Sequence, residues 1–503
     1  MEENKNCINI AYAKNLSKQN FNSIINVPID SNVNIKTILN ICGYVFDEKI
    51  ECASGKAVVS GKIGLKVLYL DTDNITNTLT EHQPFSETVI DSSITSDCYI
   101  CLTNVNVVNS VISKDGPLKI NCDISFSPIL HMNLGLNLNS VSYENMITKK
   151  SQQNANSIEK FVNTKFNYTT TFETKDQIAK VLCHTSSFSP SLVSANDGYA
   201  IVEGKLYSTL VYEVSDSTES VIKEIKDCFN IKTDVEIEGL TKNTKLDLCF
   251  LINKNEETIS TEFEDNNSVV TISNSINVKG VALKEVCFDI VEDLYSTEND
   301  IELTRTNRDF VCETNFKCVS ESVFNEISLN KDEAAIDFAV SNLNICPEIT
   351  NVYVKDNSMY AEGVISSWFM YLDENKEYKQ KQVEIPFVVN TKIEEEVLNY
   401  KNLTVSVADC KTRVKRGTII EIEYELNLFC SVYETKSAEI VNNINIGKPL
   451  DFGNYDYQIF IAKPSETLWD LCKRIKVYPD ELHKYNKDLP SLFEGGEKVI
   501  IKR

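Results

Sequence analysis

The chain has 503 residues, a formal net charge of −23 and 42% hydrophobic residues. That supplies apolar material for several cores and suggests three or four domains. So much negative charge disfavours nucleic acid and anionic lipid as general partners.

The N-terminal stretch MEENKNCINIAYAKNLSKQN has no apolar core of signal-peptide length. Nowhere do about eighteen apolar residues run together, so no membrane span is expected. The protein is therefore expected in the cytosol. Its 16 cysteines are expected to be reduced and packed as small apolar side chains.

Three segments align along the chain: AVVSGKIGLKVLYLD at 57–71, AIVEGKLYSTLVYEV at 200–214 and MYAEGVISSWFMYLD at 359–373. Stacking them superposes Gly61, Gly204 and Gly363. Tyr69, Tyr212 and Tyr371 follow eight residues later, and Phe85, Phe229 and Phe387 follow after 24, 25 and 24. Pro84 and Pro386 precede two of these phenylalanines, and Cys228 stands in the second. Three shared offsets point to three homologous modules.

Each segment alternates as a strand. In the first, Ala57, Val59, Ile63, Leu65, Val67 and Tyr69 share one face, while Ser60, Lys62 and Lys66 share the other. This pattern predicts a sheet with one face on a core and one in water. A mid-strand glycine costs stability unless the backbone bulges or another segment comes close, so a bulge is expected at each. Hairpin turns are predicted near Asp71-Thr72-Asp73-Asn74 and Asp373-Glu374-Asn375. Further strands are predicted over 267–286 and 419–432.

Polar runs mark the boundaries: Lys149 to Asn154, Asn330-Lys331-Asp332-Glu333, and Gly447 to Asp456. The expected fold is mainly β. Tandem antiparallel β-sandwich-like repeat modules occupy 1–150, 151–330 and 331–450. A small α+β tail of βααβ order follows at 455–503.

In the tail, Tyr457–Ala462 alternates as a strand. Thr467 and Asp470 have capping-box spacing. Leu468, Leu471, Cys472 and Ile475 form a helical stripe with Trp469 at its edge. Pro479 suits the first turn of a second helix, with Leu482 and Tyr485 facing inward. Asn486 is expected to end that helix in a left-handed conformation, and Lys498–Ile501 supplies a second strand. Residues 455–503 carry 9 Lys+Arg against 8 Asp+Glu, a net of +1; the rest carries 41 against 65, a net of −24.

This order, with Ser465-Glu466-Thr467-Leu468-Trp469, Asn486 and Gly496-Glu497-Lys498-Val499-Ile500-Ile501, resembles a LysM domain. Ser465 stands where the family has a loop glycine, and Lys502 replaces its final proline. LysM domains mostly bind N-acetylglucosamine polymers in a shallow groove, which maps here to Lys463–Leu468 and Asn486–Leu492. The resemblance implies a binding edge including Lys463, Ser465, Thr467, Leu468, Trp469, Asn486 and Leu489, with Trp469 as anchor. A cytosolic protein meets no peptidoglycan, so the groove is expected to take a protein; a peptidoglycan or cortex glycan is the alternative.

The repeats look like SPOCS domains. The full arrangement resembles the SipL-type family of spore coat morphogenetic proteins. That resemblance implies a scaffold in the mother-cell cytosol, at the forespore surface. Its implied partner is the coat-basement ATPase, stage IV sporulation protein A.

Catalytic, metal and cofactor signals are not found. No G-x-x-x-x-G-K-[ST] or G-x-G-x-x-G occurs. Cys98-Tyr99-Ile100-Cys101 with Cys122 and His131 imitates a zinc set, but residues three apart on a strand point to opposite faces. Adjacent Cys183 and His184 point apart for the same reason. His483 is expected in solvent, and Glu394-Glu395-Glu396 reads as a solvated charge run.

Overall fold

The computed structural model describes residues 5–28, 35–113, 117–139, 146–215, 221–264, 267–329, 335–356, 358–392, 398–453 and 455–502. The Glu394–Glu396 run and the polar segment 330–333 lie outside these.

The body is built three times from one plan. The first unit opens with β1 (Lys5–Asn15) and β2 (Gln19–Val27). A meander of β3 (Ile35–Ala53), β4 (Lys56–Asp71) and β5 (Thr76–Ile90) follows, and the unit closes on β6 (Tyr99–Ser113) and β7 (Leu118–Asn139). The second opens with β8 (Met146–Thr174) and repeats the meander as β9 (Ile178–Asn196), β10 (Tyr199–Val214) and β11 (Val221–Glu236). It closes on β12 (Lys245–Ile252), β13 (Thr258–Glu264) and β14 (Asn267–Ser296). The third runs from β15 (Asn299–Ser328) through β16 (Ala335–Lys355), β17 (Ser358–Asp373) and β18 (Tyr378–Lys392) to β19 (Leu398–Lys415) and β20 (Ile419–Pro449).

In every unit the opening strand pairs antiparallel with the closing one. Lys5 partners Asn139, Met146 partners Ser296, and Asn299 partners Pro449. The polar run at 330 suggested that 299–328 belongs with the second module. Its pairing with β20 along nearly its whole length joins it to the third. A local break in composition does not reveal a partner that lies beyond the intervening meander.

Each meander packs face to face on its closing sheet, giving three antiparallel sandwiches. In the first, Ala57, Val59 and Val89 meet Ile100, Leu102 and Phe126. In the second, Val202, Leu206 and Ile231 meet Val162, Leu248 and Val278. In the third, Ile365, Phe369 and Phe387 meet Ile420, Leu426 and Cys430. The apolar face expected on β4, from Ala57 to Tyr69, is buried throughout. The turns form where Asp71 and Asp373 use Oδ1 to accept backbone N–H groups, from Asp73 and Ile75 and from Asn375 and Glu377, all at 2.9 Å. These are aspartate-closed turns, the reason aspartate favours such positions.

The repeated glycines sit under aromatic rings. Gly61 is the cross-strand partner of Phe85, and Gly363 of Phe387. In the second unit Phe229 pairs two residues away, with Leu206, and Phe188 of β9 lies over Gly204 instead. The bulges expected on the glycine strands occur one strand earlier. The extra residue falls between Phe46 and Lys49 on β3, between Pro190 and Leu192 on β9, and between Ile349 and Asn351 on β16. The bare glycine Cα lets that bulged neighbour and the ring approach together.

The three meanders form a ring. The last strand of each touches the first of the next: β5 with β9, β11 with β16, and β18 with β3. Leu68, Val211 and Met370, each seven residues after its glycine, share one buried cluster. The opening strands converge likewise, with Ile10, Ala155 and Phe310 in another. The arrangement is quasi-threefold.

A Cβ at Gly363 would come within 2.2 Å of the Glu348 carbonyl and 2.4 Å of the Phe387 ring; at Gly61 the nearest atom is the Phe85 ring, at 2.9 Å. Backbone cannot swing away as a side chain can. Gly363→Ala is therefore expected to lower stability by about 2 kcal/mol and Gly61→Ala by less. Urea unfolding of the two variants checks the order.

Candidate partner-binding tail

The tail comprises β21 (Tyr457–Ile461), α1 (Leu468–Ile475), α2 (Pro479–Tyr485) and β22 (Lys498–Lys502). Strand, helix, helix and strand follow in the expected order. The capping box forms: Asp470 N–H donates to the Thr467 hydroxyl at 3.1 Å, and Thr467 N–H donates back to Asp470 Oδ2 at 3.2 Å. Leu471, Cys472, Ile475 and Leu482 are buried with Ala462, Phe493, Val499 and Ile501, and Leu468 is half-buried beside them. Lys476, at φ 57°, turns the chain out of α1.

Two expectations are corrected. Tyr485 does not face inward. It is 44% exposed and meets Tyr457 edge to face at 6.4 Å. Asn486 is extended, at φ −131°, rather than left-handed. Its side chain does the work instead: Nδ2 donates to the carbonyls of Leu482 and Ile500 at 2.8 and 2.6 Å, and Oδ1 accepts from Ile500 N–H at 2.8 Å. It ties the end of α2 to β22 as a short strand would.

The two loops expected to wall a groove are hydrogen-bonded to each other. Ser465 N–H donates to Phe493 O at 2.9 Å, Phe493 N–H to Glu466 O at 2.9 Å, and Leu468 N–H to Ser491 O at 3.1 Å. Glu466 is nearly buried and braces this corner through Arg474, at 2.7 and 2.8 Å. The Arg474 guanidinium holds the Glu466 carboxyl below the usual range. Ser465 has φ 60°, the left-handed region where glycine is at ease.

Among the expected site residues, Lys463, Ser465 and Thr467 are exposed, while Leu468, Trp469, Asn486 and Leu489 are half-buried. Leu468 and Leu489 pack on the tail core. Trp469 turns towards the body. Its indole stands edge-on to Tyr295 at 5.2 Å, and Nε1 donates to Asp293 Oδ2 at 2.9 Å. Lys473 Nζ reaches the same carboxylate at 2.6 and 2.7 Å, as does Arg305 at 2.8 Å. The Tyr295 hydroxyl donates to Val477 O at 2.7 Å. The tail is thus seated on the end of β14. Sequence reasoning missed this dock because Asp293 and Tyr295 are remote in the chain and carry no local signal.

Elsewhere one constellation has the order of a hydrolytic triad. His184 Nε2 lies 2.5 Å from Ser208 Oγ, and its Nδ1 pairs with Glu257. The His184 side chain is wholly shielded and Ser208 is 3% exposed. Its geometry is that of a clamp between β9, β10 and the loop before β13, with no approach for a substrate. Cys183 points the other way, into the cluster shared by the meanders. Cys98 lies ahead of β6 and donates to Thr95 O at 3.0 Å, Cys101 is buried beside Cys249 of the second unit, and Cys122 is buried in the cluster with Val107 and Ile120. Among the described residues no three His, Cys, Asp or Glu side chains gather to hold a metal ion. No described helix is long and apolar enough to cross a membrane.

Residues 34–114 match the family described as SipL, SPOCS domain. The matched stretch covers the first meander and β6, so one of the three β-sandwich units is similar to a SPOCS domain. The match supports a SipL-type protein and with it a role connected to the spore coat. No curated protein and no solved structure matches the chain.

Burial pushes the Asp293 carboxyl up, but the Lys473 ammonium and the Trp469 N–H outweigh it, so the group sits below the usual aspartate range. A depressed folded-state pKa stabilises the dock above the unfolded value of about 4, and that stabilisation fades as pH falls through the folded value. Asp293→Asn is expected to free the tail at neutral pH, with chymotrypsin cutting near Phe452 and Tyr455 several-fold faster. The wild type should approach that state as pH falls below the usual aspartate range, followed by tryptophan emission. Unchanged cleavage in the variant would show that the carboxylate does not hold the dock.

Proposed function

We propose that the protein is a non-enzymatic adaptor of spore coat assembly. The acidic three-unit body is a scaffold, and the βααβ tail is a LysM-like module that docks a protein partner. The observation that carries this reading is the SPOCS match in the first meander, joined to a body whose other two units repeat its strand plan and end in a compact, nearly neutral tail. The partner is the coat-basement ATPase, stage IV sporulation protein A, and the place is the mother-cell cytosol at the forespore surface. Lys463 and Ser465 belong to the proposed binding edge with Thr467, Leu468, Trp469, Asn486 and Leu489. Trp469 serves a partner there once its indole leaves Asp293.

Pull-down from sporulating cells with the full chain and with a chain lacking 455–503 tests the proposal. The full chain is expected to retain the ATPase and the shortened chain to lose it while its β body stays folded by circular dichroism. Equal capture by both removes the tail from the role. Co-sedimentation of the full chain with purified peptidoglycan would replace the protein partner with a glycan.

A further inference from the structure

The tail's small sheet has an unusual outer face. Phe460, Val499 and Ile501 turn into the tail core. The opposite side of β21 carries Tyr457, Ile459 and Ile461, which are 60%, 64% and 60% exposed. Across the strand pair, Ile500 lies opposite Ile459, Lys502 opposite Tyr457 and Lys498 opposite Ile461. The solvent side of an antiparallel sheet is ordinarily polar. Here it is an apolar stripe with a lysine at each end, extended at one side by exposed Tyr485. Contiguous exposed apolar side chains of this size mark interaction surfaces.

The charges around the stripe say what kind of surface fits it. The six outward positions include no carboxylate. Among the described residues, neither Lys498 nor Lys502 is ion-paired. The adjacent Glu497 is turned back on its own loop, accepting from Glu494 and Gly495 N–H at 2.8 Å. The lysines stand four residues apart on one strand, about 13 Å.

Resting on the tail as the docking module, we propose that the outer face of β21 and β22 is a further contact surface beside the loop edge, and that the partner protein presents to it an apolar ridge with a carboxylate near each end, about 13 Å apart. Apolar burial supplies affinity, and the two lysines set register and exclude basic surfaces. A lipid surface would also accept tyrosine, isoleucine and lysine. The rest of the chain, at net −24, opposes approach to anionic membranes and favours a protein.

The test uses the full chain, the purified coat-basement ATPase as probe, and three variants with exposed substitutions. Ile459→Glu with Ile461→Glu is expected to weaken binding at least tenfold. Lys498→Glu with Lys502→Glu is expected to do the same with no apolar group removed, so a fold defect in the first pair does not decide the outcome. Lys484→Glu with Lys487→Glu, exposed at the end of α2, is expected to bind within about twofold of wild type. Loss confined to that helix-end variant, with both face variants binding as wild type, would overturn the assignment of the face while leaving the tail as docking module. Full binding without residues 455–503 would overturn the docking role itself. Capture of the wild type by phosphatidylglycerol vesicles, lost in both face variants, would overturn the protein partner in favour of a membrane.

Discussion

Each unit of the body is closed by a pairing between its first strand and its last. Without it the meander would have no second layer of full width to pack on, because the opening strand is one of the three or four strands of that layer. The ladders run from Lys5 with Asn139, from Met146 with Ser296 and from Asn299 with Pro449. Such closure joins residues far apart in sequence, so loop entropy must be met before the sandwich rewards it. It also gives each unit its own boundary. The chain passes from one to the next through very short connections, Ser296 to Asn299 being the tightest.

The units are then fixed to one another by polar contacts as well as by the shared apolar clusters. Asp247 of the second unit is buried and accepts from the Ser431 and Tyr433 hydroxyls of the third. Lys279 of the second reaches Glu48 of the first at 3.0 Å. Asn344 of the third donates to Ile41 O of the first at 3.2 Å. Asn104 of the first donates to Leu403 O of the third at 2.7 Å. Buried polar pairs add little net stability over apolar ones, but they penalise misalignment heavily. This suits a body whose three similar parts have many ways of docking wrongly.

The repeat was legible because its signals are local: alternation along one strand, a glycine where a ring and a bulged neighbour crowd in, a tyrosine eight residues on. The tail was legible for the same reason, through the Thr467–Asp470 cap, the Leu471-Cys472-Ile475 stripe and Pro479. What composition did not reveal depended on partners distant in sequence. The assignment of 299–328 needed β20, and the side of each bulge needed the preceding strand. Asn486 favoured a helix end on propensity, but Ile500 offered its side chain a better set of bonds. Trp469 lies at the edge of an apolar stripe, and only the placement of Asp293 and Tyr295 distinguishes a free anchor from a seated one. The outer face of β21 was readable as alternation, yet which of its two sides is covered follows from where the helices lie.

The seating of the tail has a mechanical side. The chain leaves the third unit at Pro449, crosses residues 450–456, and comes to rest on β14 of the second. Tension on the tail therefore enters through the Asp293 and Tyr295 contacts and is borne by the central strand of the second unit's closing sheet, flanked by ladders to β8 and β12. When those contacts and the longer one from Lys476 to Asp300 of β15 part, the whole load passes to the crossing segment. The linker then acts as slack that pays out under force, lengthening the reach of the tail before any sandwich is disturbed.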